Sequence, residues 1–205
     1  MAKVKWTAVR DQSFALAARE AGFDLTMFEE YPEATQQELR KQAIKIALRN
    51  IEWEYEEETG KDLCDVRQGV YVISISQPFT IAYDGGCSEI IYIGIGNILG
   101  RIKSHFNNSL FDFMMSVAGA NFDFHFTDPK YKTGPDDYKH IEYMLLEKFA
   151  EKKGGGQYPL LNTNAGSNRG YEEMTKGWDQ PLVGYRRRAI WQIKPTKHWE
   201  FAKLD

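Results

Sequence analysis

The feature that most constrains this chain is a change of hydrophobic period at Gly69. Upstream of it, Leu39, Ala43, Ile46, Ala47 and Ile51 recur at the spacing of one helical face. Downstream, residues 70–76 are β-branched and alternate, which is a strand signal. A chain that carries both periods has to pack helices on a sheet.

The upstream third reads as helical. Residues 13–20 are rich in Ala and Leu, and Gly22 follows as a stop. Thr35 with Glu38 three residues on is a capping-box signature for the next helix, which Gly60 ends. Acidic residues crowd its far end over 52–58, as a solvated face would and a DNA-contacting face would not. Residues 1–66 are therefore expected to be a helical N-terminal extension.

Residues 67–165 read as one small α/β sandwich, a central antiparallel or mixed sheet flanked by helices. Residues 77–88 hold Pro78, Gly85 and Gly86 and read as turn punctuation before a second apolar strand over 89–94. Helix is expected from Ile98, with residues 106–118 extending or restarting it. Phe122, Phe124 and Phe126 alternate with polar residues as a third strand. After a loop over 128–135, Asp136 or Asp137 caps a helix whose apolar stripe is Ile141, Met144, Leu145 and Phe149, ended by Gly154, Gly155 and Gly156. The last segment, 166–205, offers an added strand at 189–193. It also carries the dense basic run Arg186, Arg187 and Arg188, a candidate phosphate-contacting patch.

Composition removes several function classes. The 205 residues are 42% hydrophobic and 14% aromatic, which suits a folded core. No apolar run is long enough for a membrane span, and the N-terminus does not read as a secretory signal. The two cysteines, Cys64 and Cys87, lack partners at zinc-ligand spacing and suit a reducing cytoplasm. A net charge of −3 argues against a nucleic-acid-coating protein, but not against a local basic cleft. Gly94, Gly96 and Gly100 mimic a dinucleotide fingerprint. The sixth position of that fingerprint is Leu99 here, so the nicotinamide reading fails.

Two strands and two helices instead offer one reactive set. Adjacent antiparallel strands can bring the phenols of Tyr71 and Tyr92 onto one sheet face. Arg101 and His105, four residues apart, share a helix face. Glu142 lies just off the apolar stripe of its helix. A planar guanidinium suits the dispersed charge of phosphoryl transfer, and a single carboxylate is enough for Mg2+ when water and substrate phosphate complete the shell. A phenol can take a proton from an attacking water, with His105 passing it on or orienting the phenol. Glu147 is a rival to Glu142 that fits the spacing less well. His125 and His140 receive no role.

The residues Gly69-Val70-Tyr71, Tyr92-Ile93-Gly94, Arg101 with His105, Glu142 and Pro159-Leu160-Leu161-Asn162 resemble, in order, the motifs of the GIY-YIG nuclease superfamily. The resemblance covers about half the chain. It implies a magnesium-dependent endonuclease, manganese being able to substitute, that hydrolyses DNA phosphodiester bonds. By the same resemblance Tyr71 is the general base or water-orienting phenol and Tyr92 its support. Arg101 steadies the scissile phosphate, His105 holds a position often His or Tyr, and Glu142 binds the metal. Gly94, Lys103, Asn162 and the arginines at 186–188 are candidate nucleic-acid contacts. The compact chain is closest to restriction-like or phage-type members. A double-strand cut by one such site needs a homodimer or two visits. The alternative is a non-cutting nucleic-acid-binding or protein-interaction module on the same fold, which loss of a catalytic group would mark. This sequence departs from the family pattern in the twenty residues between Tyr71 and Tyr92 and in the three-glycine insert before Asn162.

Overall fold

The structure, a computed structural model, describes residues 4–117, 119–129, 137–163, 166, 176–183 and 189–194. In chain order the regular elements are β1 (Thr7–Ser13), α1 (Phe14–Glu20), α2 (Glu33–Thr59), β2 (Gly69–Ile75), β3 (Phe79–Tyr83), β4 (Gly86–Ser88), β5 (Ile90–Gly96), α3 (Ile98–Asn107), α4 (Ser109–Ser116), β6 (Asn121–Thr127), α5 (Asp137–Phe149) and β7 (Trp191–Ile193). β1, β6, β2 and β5 form the main sheet in that order, with every neighbouring pair antiparallel.

All seven residues of β2 are buried, as expected of a strand covered on both faces. Its alternation sorts them between two cores. Tyr71, Ile73 and Ile75 face a large core shared with α1, α2, α3, α4 and the three phenylalanines of β6. Val70 and Val72 face a smaller core made with Ile141, Leu145, Leu146 and Phe149 of α5. Each large apolar side chain so buried contributes roughly 1.5–3 kcal/mol before the ordering entropy is counted. The result is an α/β sandwich, a sheet between one helix and four.

The N-terminal segment is more than a helical extension. Thr7–Ser13 adds an edge strand to the main sheet, and α1 and α2 belong to its larger core. That strand escapes a period-2 search because a bulge between Val9 and Gln12 breaks its alternation, with Asp11 at φ 53°. The capping box at Thr35 and Glu38 does not open α2. The helix begins at Glu33 behind Pro32, with no side-chain cap. Residues 77–88 are not bare punctuation, for β3 and β4 form a second hairpin around Asp84 and Gly85. β7 pairs in parallel with β3, extending this small sheet rather than the main one. Asp136 and most of the 128–135 loop lie outside the described residues, as do Arg186, Arg187 and Arg188. Both cysteines are exposed and free.

The outer edge of β5 is closed by the 159–162 segment. Leu161 N–H donates to the Ile91 carbonyl at 2.9 Å. The Asn162 amide reaches both main-chain groups of Ile93, accepting from N–H at 2.9 Å and donating to the carbonyl at 2.7 Å. An edge strand covered in this way is not open to pairing with another chain.

Candidate functional site

The register of β2 and β5 sets Tyr71 opposite Gly94 and Ile73 opposite Tyr92. Both tyrosines therefore rise from the same face of the sheet. Their rings stack at 5.7 Å between centroids, 24° from parallel. The missing side chain of Gly94 makes this possible. A Cβ there would lie 2.5 Å from Tyr92 Cε1 and 2.7 Å from the Tyr71 hydroxyl. Gly94 thus acts through space left for the tyrosines.

α3 supplies the polar groups over the two rings. Gly96, at φ 119°, turns the chain out of β5, and Asn97 caps the helix by accepting from Gly100 N–H at 3.0 Å. Ile98, Ile102 and Phe106 anchor α3 in the larger core. One flank then presents Arg101 and His105. Tyr71 Oη lies 2.7 Å from His105 Nε2, and the His105 ring sits 4.1 Å from that of Tyr92. The Arg101 guanidinium lies close enough to both hydroxyls to interact with them electrostatically while remaining exposed to solvent.

These neighbours fix the protonation states. Burial pushes the Tyr71 phenol well up, with the charge of Arg101 only partly opposing it. Tyr92 is raised for the same reason. Burial, and then the charge of Arg101, brings His105 down to about 4. Near neutral pH the centre is therefore two phenols and one uncharged imidazole.

Glu142 approaches from α5, on the other side of the sheet. Ile141 beside it is buried in the smaller core, and Glu142 comes within electrostatic range of Arg101 and Tyr92. Burial raises its carboxyl to about 7, against the attraction of Arg101. Its burial is thus not balanced by cation charge. A hard cation bound there would supply the missing charge, and Glu142 is the carboxylate that would hold it. Among the described residues no group of three His, Cys, Asp or Glu could cage an ion. A water-rich Mg2+ with one protein carboxylate needs no such group. Gly166, which sequence reasoning did not single out, lies against this carboxylate. A Cβ on it would be 3.5 Å from Glu142 Oε2. The rival Glu147 is engaged elsewhere, accepting from the Tyr158 hydroxyl at 3.0 Å.

Four of the sequence-derived positions thus converge over Gly94, namely Tyr71, Tyr92, Arg101 and His105, and Glu142 comes within electrostatic range of two of them. Asn162 stands apart as the strap on the β5 edge, with its amide already occupied. Lys103 is exposed on the other flank of α3. No described helix is long and apolar enough to cross a membrane. In comparisons with family models, curated proteins and solved structures, nothing significantly matches this chain.

Proposed function

We propose that the chain is a magnesium-dependent endonuclease of the GIY-YIG kind, hydrolysing phosphodiester bonds in DNA. One observation carries the reading. Tyr71 hydrogen-bonds to an uncharged His105 at 2.7 Å, inside a centre whose exposed cation is Arg101.

The chemistry follows from protonation and exposure. Arg101, always charged, pairs with the scissile phosphate and complements the charge that spreads over its oxygens. Tyr92 is the phenol nearer solvent, at 9% exposure against 0% for Tyr71. The attacking water gives its proton to the Tyr71 oxygen as Tyr71 passes its own to His105 Nε2, and Tyr92 orients that water from the solvent side. No phenolate forms, which suits two phenols whose pKa values burial has raised. Burial is the larger cause that holds His105 down, so a phosphate paired with Arg101 relieves only the smaller, electrostatic one. Glu142 would hold Mg2+, which in its bound state supplies positive charge for the phosphate and the departing oxygen.

Supercoiled plasmid incubated with and without Mg2+, beside Glu142→Ala, tests the proposal. Nicking or linearisation that requires Mg2+ and falls about 10²–10³-fold in the variant is expected, the loss typical of a principal charge-stabilising group. A wild type that cuts neither plasmid, single-stranded DNA nor RNA overturns the proposal in favour of a non-cutting module. Cutting that survives Glu142→Ala removes Glu142 as the metal ligand.

A further inference from the structure

We propose, resting on the nuclease reading, that the groove between α2 and α3 holds the nucleic-acid backbone beyond the cut, with Lys41, Lys45 and Lys103 as its phosphate contacts. The groove encloses about 860 Å³. Lys41 and Lys45 line it from α2, Lys103 lines it from α3, and all three are exposed.

The geometry links this groove to the catalytic centre. At 3.6 residues per turn, Arg101 and His105 occupy one flank of α3, while Leu99 and Lys103 occupy the other. Ile98, Ile102 and Phe106 lie between the flanks, on the buried side. A phosphodiester strand paired with Arg101 and draped over α3 descends on its far side into the groove. Lys41 and Lys45 are four residues apart, a rise of about 6 Å. That is close to the axial span of two steps along one strand, about 7 Å.

Arg40 fixes the position of the groove. Its Nη2 donates to the carbonyls of Phe106, Asn107 and Asn108, at 3.2, 2.7 and 3.2 Å, capping the end of α3. The same guanidinium stacks 4.2 Å over Phe111. α2 is thereby locked to the catalytic helix, and Arg40 itself is spent on structure.

Charge along α2 is divided. Lys41 and Lys45 occupy its first half, whereas Glu52, Glu54, Glu56, Glu57 and Glu58 crowd the end. Arg49, between them, is paired with Glu20 at 2.5 Å. Glu20 and Glu52 also line the groove, so Lys41, Lys45, Arg49 and Lys103 stand there against two carboxylates, one of them paired with Arg49, and this local excess of positive charge draws a polyanion in a protein whose net charge is −3. The groove floor is partly apolar, through Ile46 and Leu99. An acidic amphipathic helix could use such a floor, but it would have no need of the catalytic helix as the other wall.

The test is fluorescence anisotropy of a labelled DNA duplex in EDTA, from 50 to 200 mM salt. It compares wild type with K41Q/K45Q/K103Q, and with K5Q/K61Q/K152Q as the charge-matched control. Each lysine that contacts a phosphate adds about 0.9 to the salt slope, so the groove variant loses about 3 from its log–log slope. Its affinity at 50 mM salt falls at least ~10-fold, and the control keeps the wild-type slope. With Mg2+ the groove variant shows a raised KM and a kcat within about 3-fold of wild type, the pattern of lost uniform binding. A slope unchanged by the three groove substitutions overturns the proposal, as does a wild type that does not bind duplex or a groove that takes an acidic helical peptide and no DNA. Binding here needs no cutting, so the two readings fail separately. Lysine-dependent binding without cleavage removes the nuclease alone, and cleavage with a lysine-independent slope removes the groove alone.

Discussion

Two tyrosines on consecutive strands of different sheets show why burial alone does not make a reactive group. Tyr83, on β3, has its hydroxyl enclosed, donating to the Ile90 carbonyl at 2.5 Å and accepting from Leu160 N–H at 3.2 Å. Its ring meets Phe149 edge-on at 4.9 Å. Tyr71, on β2, is also enclosed, but its partners are an imidazole and a guanidinium. Burial raises both phenols. The difference lies in the partners. Main-chain amides neither take nor give protons in the working pH range, so Tyr83 ties the small sheet to the 159–162 strap. The partners of Tyr71 can move a proton and hold an anion.

The largest effect expected from this contrast is on rate. Tyr71→Phe should cut plasmid cleavage about 10²–10⁴-fold, the usual weight of a positioned proton-transfer group. Its ring packing is kept, so its melting temperature should move little. Tyr83→Phe should do the reverse, keeping the rate within about 3-fold while losing roughly 1–3 kcal/mol in urea unfolding. That loss comes from leaving enclosed main-chain groups without partners. Equal loss of cleavage in both variants would break the comparison.

Glycine substitutions sharpen it at a second scale. In Gly94→Ala the new Cβ must displace one or both of the Tyr71 and Tyr92 rings, given separations of 2.5 and 2.7 Å. Cleavage should fall about 10–100-fold, the scale set by a misplacement of about 1 Å, with roughly 1–3 kcal/mol of destabilisation. In Gly85→Ala the new Cβ meets main chain across the small sheet, Gly155 N at 2.6 Å and Lys153 O at 2.9 Å. The cost in stability should be of similar size, roughly 1–3 kcal/mol, with cleavage retained. A Gly85→Ala enzyme as slow as Gly94→Ala would mean that the two regions are mechanically coupled.

The grouping of Tyr71, Tyr92, Arg101 and His105 was more legible than the frame that holds them, for a physical reason. Strand period, helix period and the i, i+4 relation of Arg101 and His105 are local rules, and they place four side chains over one sheet face without knowledge of the rest. Glu142 was legible through the apolar stripe beside it. The frame depends on non-local choices. β1 is concealed by its bulge and gains its identity only by pairing with β6. The β3–β4 hairpin turns at Asp84-Gly85, a strong short hairpin signal, yet its role appears only when the tip meets the 153–155 backbone. This contact also accounts for Gly155 of the three-glycine insert, since Gly85 and Gly155 bring backbone against backbone. The acidic end of α2 hid the basic groove at its beginning, because a helix read as one surface averages two.

The smallest expected effect is on pH, and it separates the two regions by titration. With Glu142 raised to about 7, its carboxylate prevails only above that pH. Cleavage at limiting Mg2+ should therefore rise with pH through a midpoint near 7. His105, lowered to about 4, stays uncharged across this range and adds no second limb. Metal and proton compete for the same carboxylate, so more Mg2+ should move the midpoint downward. Stability has the opposite sign. The folded pKa of Glu142 lies above its unfolded value of about 4.5, so its contribution is fully present below 4.5 and lost as pH rises through 7. Glu142→Gln should then melt slightly higher than wild type at pH 8 without metal, equal it near pH 4.5, and gain nothing from added Mg2+. Tyr83→Phe should keep the wild-type midpoint and its Mg2+ dependence. A midpoint that ignores Mg2+ would mean that the titrating group is not the one that meets the metal.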